Sequence, residues 1–217
     1  MPDNKKAYIT KKAYITNHPT PLAKKPLALS NEEKIEGIAK HFHEIMKLLG
    51  LNMDDSSLKK SPKRVAEMYV NEIFSGLSKE TFPDTHLMSE KGYKGNHVFT
   101  KCGFTSMCEH HFVPMTGHVF VSYISHGEVI GLSKIHRLVR YFAARPQLQE
   151  RLTAQIADSL SMILGHDDVA VHVQASHFCV MMRGVQDENA KTATTFFLGA
   201  FKKDQSLRDE FYRMMRQ

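Results

Sequence analysis

Apolar positions recur at helical spacing in the first third of the chain and at strand spacing after it. Between Ser30 and Gly50 the apolar residues fall on one face of a helix, which predicts an amphipathic element. Ser30 is a typical helix cap, acidic residues follow it, and Gly50 is a typical helix end. A second helix is predicted between Ser61 and Gly76, because a proline follows Ser61 in the first turn. Residues 77–94 show neither period and are expected to form an irregular connection.

From residue 97 onward the pattern predicts a sheet with two inserted helices. Residues 117–124 alternate apolar and polar side chains, as a strand with one buried face does. In chain order we expect strands at 97–107 and 117–124, helices at 133–144 and 147–164, strands at Val169–Ala175 and Phe178–Arg183, a strand near 192–200 and a helix near 205–216. This ββααββ order predicts an α+β fold with an antiparallel sheet. The edges of such a sheet are usually covered or paired, which predicts association edge to edge or, alternatively, a monomer with protected edges.

The first 28 residues differ in character from the rest of the chain. They hold a perfect tandem repeat of Lys-Lys-Ala-Tyr-Ile-Thr, at 5–10 and 11–16, followed by three prolines. This composition predicts a mobile basic tail at 1–28 that is dispensable for chemistry. The remainder divides into an N-terminal helical region at 29–95 and a C-terminal domain at 96–217, and a chain of 217 residues is long enough to bury a sizeable core.

Charge and composition exclude several classes of function. Residues 1–25 hold six lysines and one aspartate, so they carry +5 of the formal net charge of +6. The body of the chain is therefore nearly neutral, and a nucleic-acid footprint is not indicated. No apolar run approaches the length of a membrane span. Three cysteines and no signal-peptide core indicate a reducing compartment, and we expect a cytoplasmic location.

Two short segments about 70 residues apart carry the most informative chemistry. The first is Cys-Glu-His-His at 108–111, and the second is Ser-His-Phe-Cys at 176–179. Thiolate and imidazole are the ligands that zinc prefers, so Cys108, His111 and Cys179 are candidate ligands. Three protein ligands leave one position for water, which suggests a catalytic metal with His110 and His177 beside it for proton transfer.

Other interpretations of these two segments stay open on the residues alone. A Cys-x-x-H spacing recurs by chance, and zinc with a fourth ligand is more often structural. Cys179 lies in the apolar run at 178–182, where a buried free thiol is a common outcome.

Three further segments contain candidate binding residues. In the run Gly131–Arg137, Ser133 is a candidate helix cap, and Lys134 and Arg137 lie on one face of the first turns, where helical N–H groups attract anions. This is a candidate phosphate cradle, although an ordinary capped amphipathic helix has the same pattern. Gln149 and Glu150 lie in the first turn of the next helix. A carboxylate there either accepts hydrogen bonds from a guanine edge or simply interacts favourably with the helix dipole. Arg183 ends the segment that carries Cys179 and offers a fork of donors to phosphate, or is a plain surface arginine.

Taken together, these residues closely resemble one family, GTP cyclohydrolase I. The matching segments are Ser106–Phe112, Gly131–Arg137, Arg145–Leu152, Ser176–Cys179 and Met182–Val185, with Pro62–Val65 and Ile73–Leu77 in the helical part. The resemblance runs from about residue 31 to the end of the chain. It favours catalytic zinc over the alternatives.

The resemblance implies a fold, an assembly and a reaction. The fold is the tunnelling fold, with sheets joined edge to edge into a toroidal homodecamer whose active sites are shared between subunits. The reaction converts GTP and water to 7,8-dihydroneopterin triphosphate and formate, the first committed step toward tetrahydrofolate or tetrahydrobiopterin. The cofactor is one Zn²⁺ per subunit.

The resemblance also implies a role for each matching residue. Zinc is held by Cys108, His111 and Cys179, and proton transfer falls to His110 and His177. The guanine ring is held by Glu150 and Gln149. The triphosphate is held by Ser133, Lys134, Arg137, Arg183 and Arg64. The family often has a second basic residue one turn after the arginine matching Arg64, and this chain has Glu67 there.

Two other functions compete with this one. A tunnelling-fold relative acting on another pterin or on a deazapurine would carry a different metal or nucleophile pattern. A non-catalytic, zinc-stabilised oligomeric scaffold that binds purine nucleotides would need neither His110 nor His177. The presence of both histidines beside an incomplete ligand set favours the enzyme.

Overall fold

The computed structural model describes residues 20, 22–95 and 97–217. Most of the predicted tail therefore lies outside the described residues. The described helices are α1 Asn31–Leu48, α2 Ser61–Met68, α3 Leu132–Ala143, α4 Gln149–Leu164, α5 Phe178–Met181, α6 Gly199–Lys203 and α7 Gln205–Met214. The described strands are β1 Leu87–Ser89, β2 Val98–Cys108, β3 Pro114–Tyr123, β4 Glu128–Ile130, β5 Pro146–Gln147, β6 Val169–His177 and β7 Thr192–Phe197.

The two N-terminal helices form where the pattern predicts them. Ser30 accepts a hydrogen bond from the backbone N–H of Glu33 at 3.2 Å, and the Glu33 carboxylate accepts from the Ser30 N–H at 2.7 Å. This reciprocal capping box satisfies two N–H groups that the first helical turn leaves free. The second helix is shorter than predicted, because α2 passes at Tyr69–Ile73 into a π-helical turn.

A five-stranded sheet forms the centre of the molecule, in the order β5-β2-β3-β6-β7. Its β2, β3, β6 and β7 strands are antiparallel, and β5 runs parallel to the end of β2. A separate small sheet joins β1 to β4. The antiparallel α+β architecture predicted from the sequence is thus confirmed.

Two predicted elements and one predicted strand pairing were wrong in detail. Phe178–Arg183 is not a strand: β6 extends through His177, and the chain then turns into α5. The partner of β6 is β7, so the second strand pair is formed by residues farther along the chain. The segment predicted as an irregular connection contains the short strand β1, which pairs with β4 through Leu87 and Ile130.

The starts of the two sheet-packed helices also differ from the prediction. Gly131, not Ser133, occupies the N-cap of α3, and no side-chain hydrogen bond caps that helix. Helix α4 begins at Gln149 rather than at residue 147, because Pro146 and Gln147 pair with the end of β2 instead. This pairing is one of the contacts that fix the position of Cys108.

The main hydrophobic core lies between the sheet and helices α3 and α4. Leu138 and Phe142 of α3, Ile156 of α4 and Val171 of β6 are fully buried there. A smaller cluster on the opposite face packs Phe120 of the sheet against residues of α6 and α7. Burial of apolar area of this kind contributes roughly 25 cal/mol per Å². No helix among the described residues is long and apolar enough to cross a bilayer.

The close approach of β3 and β6 makes Gly117 a sensitive position. A Cβ placed at Gly117 would overlap the carbonyl oxygen of Gln174 and lie 2.7 Å from the Cα of Ala175, whereas a Cβ at Gly103 would meet nothing within 4 Å. We expect Gly117→Ala to lower the free energy of unfolding by about 1–3 kcal/mol. The matched variant Gly103→Ala is expected to change it by less than about 0.5 kcal/mol. Chemical denaturation of both variants measures the difference, and equal losses would contradict the proposed strand packing.

Candidate metal centre and active site

The first metal-binding segment is the tight connection between β2 and β3. The chain reverses over residues 109–113, with Phe112 in the left-handed region at a φ of 53°. The backbone N–H of Cys108 donates to the carbonyl of Val113 at 2.9 Å, and the N–H of Phe112 donates to the carbonyl of Cys108 at 2.9 Å. On the other side, the N–H of Glu109 donates to the carbonyl of Gln147 at 3.0 Å. Cys108 is therefore held from both sides, and its side chain is buried.

The second segment reaches the same end of the sheet through strand pairing. Strand β6 runs antiparallel to β3 and places His177 opposite Met115. The turn of helix that follows carries Cys179. The ligand atoms of Cys108, His111 and Cys179 all lie within 4.8 Å of one another, so residues about 70 positions apart in the sequence form one cluster.

The chemistry of this cluster fits a borderline divalent cation such as zinc. Two sulfurs and one imidazole nitrogen are a donor set that zinc prefers, and three protein ligands leave a position open. Burial and the adjacent Cys108 thiol raise the pKa of Cys179, because two neighbouring thiolates repel each other. A divalent cation relieves that repulsion and favours both thiolates. The expectation that Cys179 is only a core thiol does not fit its place beside Cys108 and His111.

Arg183 places a positive charge next to this cluster. Its Nη1 lies 3.1 Å from Nε2 of His111, and both side chains are exposed. An arginine is always protonated, so Arg183 donates and His111 accepts in this contact. The guanidinium is thus close enough to the cluster to bind an anionic group that lies there.

His177 is held by a hydrogen-bond network centred on Gln149. Nε2 of His177 lies 2.7 Å from Oε1 of Gln149. The amide nitrogen of Gln149 donates to the carbonyls of Val173 and Thr192 and to the hydroxyl of Thr194, at 3.0–3.2 Å. These three acceptors fix the amide orientation, so Oε1 must accept and the neutral imidazole carries its proton on Nε2. The Nδ1 atom of His177 is left with the lone pair.

The protonation of His177 follows from where it sits. Burial lowers its pKa, and the charge of the nearby Glu150 carboxylate partly opposes that effect. The side chain is therefore mainly neutral at neutral pH, and its protonated form is a stronger acid than a free imidazolium.

Sequence reasoning gave no role to an ion pair that supports the metal-binding turn. Both guanidinium nitrogens of Arg151, on α4, bind the Glu109 carboxylate, at 2.6 and 3.2 Å. This contact holds the pKa of Glu109 below its usual range. Both residues lie inside the segments that carry the family resemblance, which is the signal that identifies them. These two hydrogen bonds from one guanidinium hold the metal-binding turn against helix α4.

The remaining candidates for proton transfer and base recognition are exposed. His110 lies next to His111, with 6.4 Å between the ring centroids. It also lines an open pocket with Leu22, Leu77 and Phe112. Glu150 is exposed in the first turn of α4.

The predicted triphosphate residues do not all meet the metal cluster within one chain. Ser133, Lys134 and Arg137 lie in the first two turns of α3, and Ala143 at the far end of that helix leads into Pro146, which pairs beside Cys108. A helix of 12 residues spans about 18 Å, so the candidate cradle and the metal cluster lie at opposite ends of α3. Lys134 is near Asp84 instead, with 3.9 Å between Nζ and Oδ2.

Arg64 is the one predicted triphosphate residue in the N-terminal helices. It is exposed on α2. Its neighbour Lys63 forms an ion pair with Glu67 at 3.8 Å. Glu67 occupies the position where the family often has a second basic residue.

Comparisons with known proteins identify the family of this chain. The family model for GTP cyclohydrolase I matches residues 38–216. The chain belongs to the GTP cyclohydrolase I family. Curated relatives named GTP cyclohydrolase 1 include one from Aeromonas salmonicida, 48% identical over 85% of each chain. Another from Vibrio parahaemolyticus is 47% identical over 88% of this chain and 89% of the relative.

Membership of the GTP cyclohydrolase I family makes the chain an enzyme of this type, and it does not favour the scaffold alternative. Among solved structures, the apo form of the archaeosine synthase QueF-Like is similar over 48% of this chain, with 17% identity and a TM-score of 0.38. That likeness is too weak to bear on function.

The Glu109–Arg151 pair gives a test of how the metal-binding turn is supported. Arg151→Lys keeps the charge but loses the fork, so the turn should loosen. We expect the Arg151→Lys chain to lose its metal to a chelator about tenfold faster than the parent chain does. This is the size of effect typical of residues that support metal ligands. Arg140→Lys on the exposed side of α3 is the matched control. Unchanged release from the Arg151→Lys chain would show that the pair does not stabilise the turn.

Proposed function

We propose that this chain converts GTP and water to 7,8-dihydroneopterin triphosphate and formate. The supporting observation is that Cys108, His111 and Cys179 form one ligand cluster beside the half-buried His177, in a member of the GTP cyclohydrolase I family. The first step toward tetrahydrofolate or tetrahydrobiopterin would then take place in the cytoplasm, where cysteines stay reduced.

Zinc would be held by Cys108, His111 and Cys179. When bound, it would supply the Lewis acidity that lowers the pKa of a water molecule to about 7. The chain itself provides the buried thiol of Cys108 and keeps its backbone fixed from both neighbouring strands. The remaining steps depend on where the protein places its own acids, bases and cations.

His177 is suited to protonate the guanine ring. Its Nε2 proton is engaged by Gln149, so Nδ1 is the atom that can take up a proton and pass it on. Protonation of guanine at nitrogen 7 makes carbon 8 a better electrophile for water. Because burial lowers the pKa of His177, the imidazolium gives up its proton readily once formed.

Other residues bind the substrate and move later protons. Glu150 would accept from the ring N–H and the exocyclic amine of guanine. Gln149 would contribute to the guanine site mainly by orienting His177, since its amide is already bound to strands β6 and β7. His110 would move a proton during rearrangement of the ribose. The triphosphate would be held by Ser133, Lys134, Arg137, Arg183 and Arg64.

The separation of cradle and cluster supports a shared active site. Within one chain Lys134 and the metal cluster lie about one length of α3 apart, whereas the proposed reaction would use both on one GTP molecule. A neighbouring subunit resolves the conflict by bringing its own cradle to this cluster. Among the described residues, β7 is paired on only one side and β2 has a second partner only at its end. We therefore propose the tunnelling fold, joined edge to edge in a homodecamer.

A direct assay separates the enzyme from the scaffold that binds purine nucleotides without turnover. His177→Ala and His110→Ala should each retain zinc and GTP but lose most pterin formation, because neither is a ligand. The parent chain should release formate and pterin in equal amounts, and a chelator should abolish both. Bound but unchanged GTP in the parent chain, with zinc present, would overturn the proposed reaction. Loss of zinc in both variants would mean that the histidines are structural.

Subunit hybrids test whether the active site is shared. Lys134→Ala removes the cradle, and Cys179→Ala removes the metal site, so each variant alone should be nearly inactive. When equal amounts are co-assembled, random pairing should restore up to about a quarter of parental activity. Native mass measurement confirms that mixed assemblies form. Mixed assemblies with no more activity than their parents would show that each chain uses its own cradle and cluster.

A further inference from the structure

A second cluster of metal-binding side chains lies at the other end of the sheet. His126 follows β3, while His166 and Asp168 lie between α4 and β6. The three ligand atoms lie within 4.8 Å of one another. The proposed zinc ligands lie near Met115, which is eight residue steps from Tyr123 along β3, a distance of roughly 27 Å in one chain. The two clusters are therefore separate.

We propose that His126, His166 and Asp168 form a second site for a borderline divalent transition-metal ion, such as zinc, cobalt or nickel. Two imidazoles and one carboxylate suit these ions, whereas magnesium and calcium prefer oxygen ligands throughout. The proposal does not depend on the proposed reaction, since none of the three residues has a role in it.

The spacing of the three ligand atoms is close to that of a bound ion. Metal–ligand bonds of about 2.0–2.2 Å place neighbouring ligand atoms of a tetrahedral site roughly 3.3 Å apart. Nε2 of His126 lies 2.7 Å from Oδ2 of Asp168, so these two atoms need to separate by a few tenths of an ångström. His126 is exposed, with 55% of its side-chain surface accessible, and it can make that shift by rotation. In the cluster around Cys179 the ligand atoms likewise lie within 4.8 Å of one another.

The surroundings hold the carboxylate and the second imidazole in position. Oδ1 of Asp168 accepts from the backbone N–H of Ala200 at 2.7 Å, which leaves Oδ2 directed at His126. Nδ1 of His166 accepts a long hydrogen bond, 3.2 Å, from the N–H of Asp168, which keeps the ring beside the carboxylate and which a bound ion would replace. The rings of His126 and His166 meet edge to face, with 4.5 Å between centroids. The hydrogen bond from Ala200 to Asp168 is the kind of contact that orients carboxylate ligands in known metal sites.

An ordinary exposed ion pair provides the contrast. Nε2 of His86 lies 2.6 Å from Oδ2 of Asp84, with both side chains more than half exposed. Among the described residues this pair belongs to no group of three metal-binding side chains. The His126–Asp168 pair differs by its second imidazole and by the backbone contact that holds the carboxylate.

The test measures metal bound per chain after dialysis of the full-length protein against buffered Co²⁺ or Zn²⁺ in the micromolar range. We expect two ions per parent chain and one in Cys108→Ala, which removes the first site. His126→Gln should also bind one ion, and so should His166→Gln. His86→Gln is the matched control and should still bind two. Excess Mg²⁺ should not displace the second ion.

Two outcomes would overturn the proposal. One is a single ion in the parent chain under these conditions, lost completely in Cys108→Ala. The other is a second ion that persists in both His126→Gln and His166→Gln, which would place it elsewhere. Neither outcome bears on the proposed reaction, because pterin formation by the parent chain is measured separately. Circular dichroism of each variant confirms that the fold is retained before metal is counted.

Discussion

The antiparallel pairing of β3 with β6 is the constraint on which the site depends. Its register places His177 opposite Met115, next to the turn that carries Cys108 and His111. A shift of one residue would move every side chain of β6 to the other face of the sheet. Val171 and Val173 of β6 oppose that shift, because these buried side chains would leave the core. The hydrophobic core thus fixes the distance between two thiols that the sequence keeps far apart.

The periodicity of the sequence predicted the elements that bury a continuous face. Helix α1 and its Ser30 cap, the two core helices and strands β2, β3 and β6 all follow from apolar spacing and turn residues. The errors fall where local pattern and tertiary pairing disagree. Phe178–Met182 is apolar enough for a strand, yet β7 takes the place beside β6 and leaves that segment to form a helical turn. Pro146 and Gln147 look like a helix start but pair with β2, a contact between segments that no local pattern reveals.

The candidate site was likewise predictable from the sequence only in part. The thiols and imidazoles were identifiable from residue type, since few side chains bind zinc. The residues that hold these ligands in position were not identifiable in this way, because they act through contacts between distant segments. Arg151 binds Glu109 across 42 positions, and Gln149 binds His177 across 28. The resemblance to GTP cyclohydrolase I implied which residues serve one reaction and that subunits share the site. The geometry adds that the candidate cradle at Lys134 and the cluster at Cys179 are remote from each other in one chain.

The central claim is that two distant segments form a single metal centre with two sulfur ligands. X-ray absorption at the zinc edge tests it directly, on the full chain loaded with one equivalent of zinc. The account predicts two sulfur neighbours at about 2.3 Å and at least one nitrogen at about 2.0 Å. Because Cys179→Ala removes this metal site, the sulfur signal should be largely lost in that variant. A spectrum with only nitrogen and oxygen neighbours, or one unchanged by that substitution, would contradict the claim.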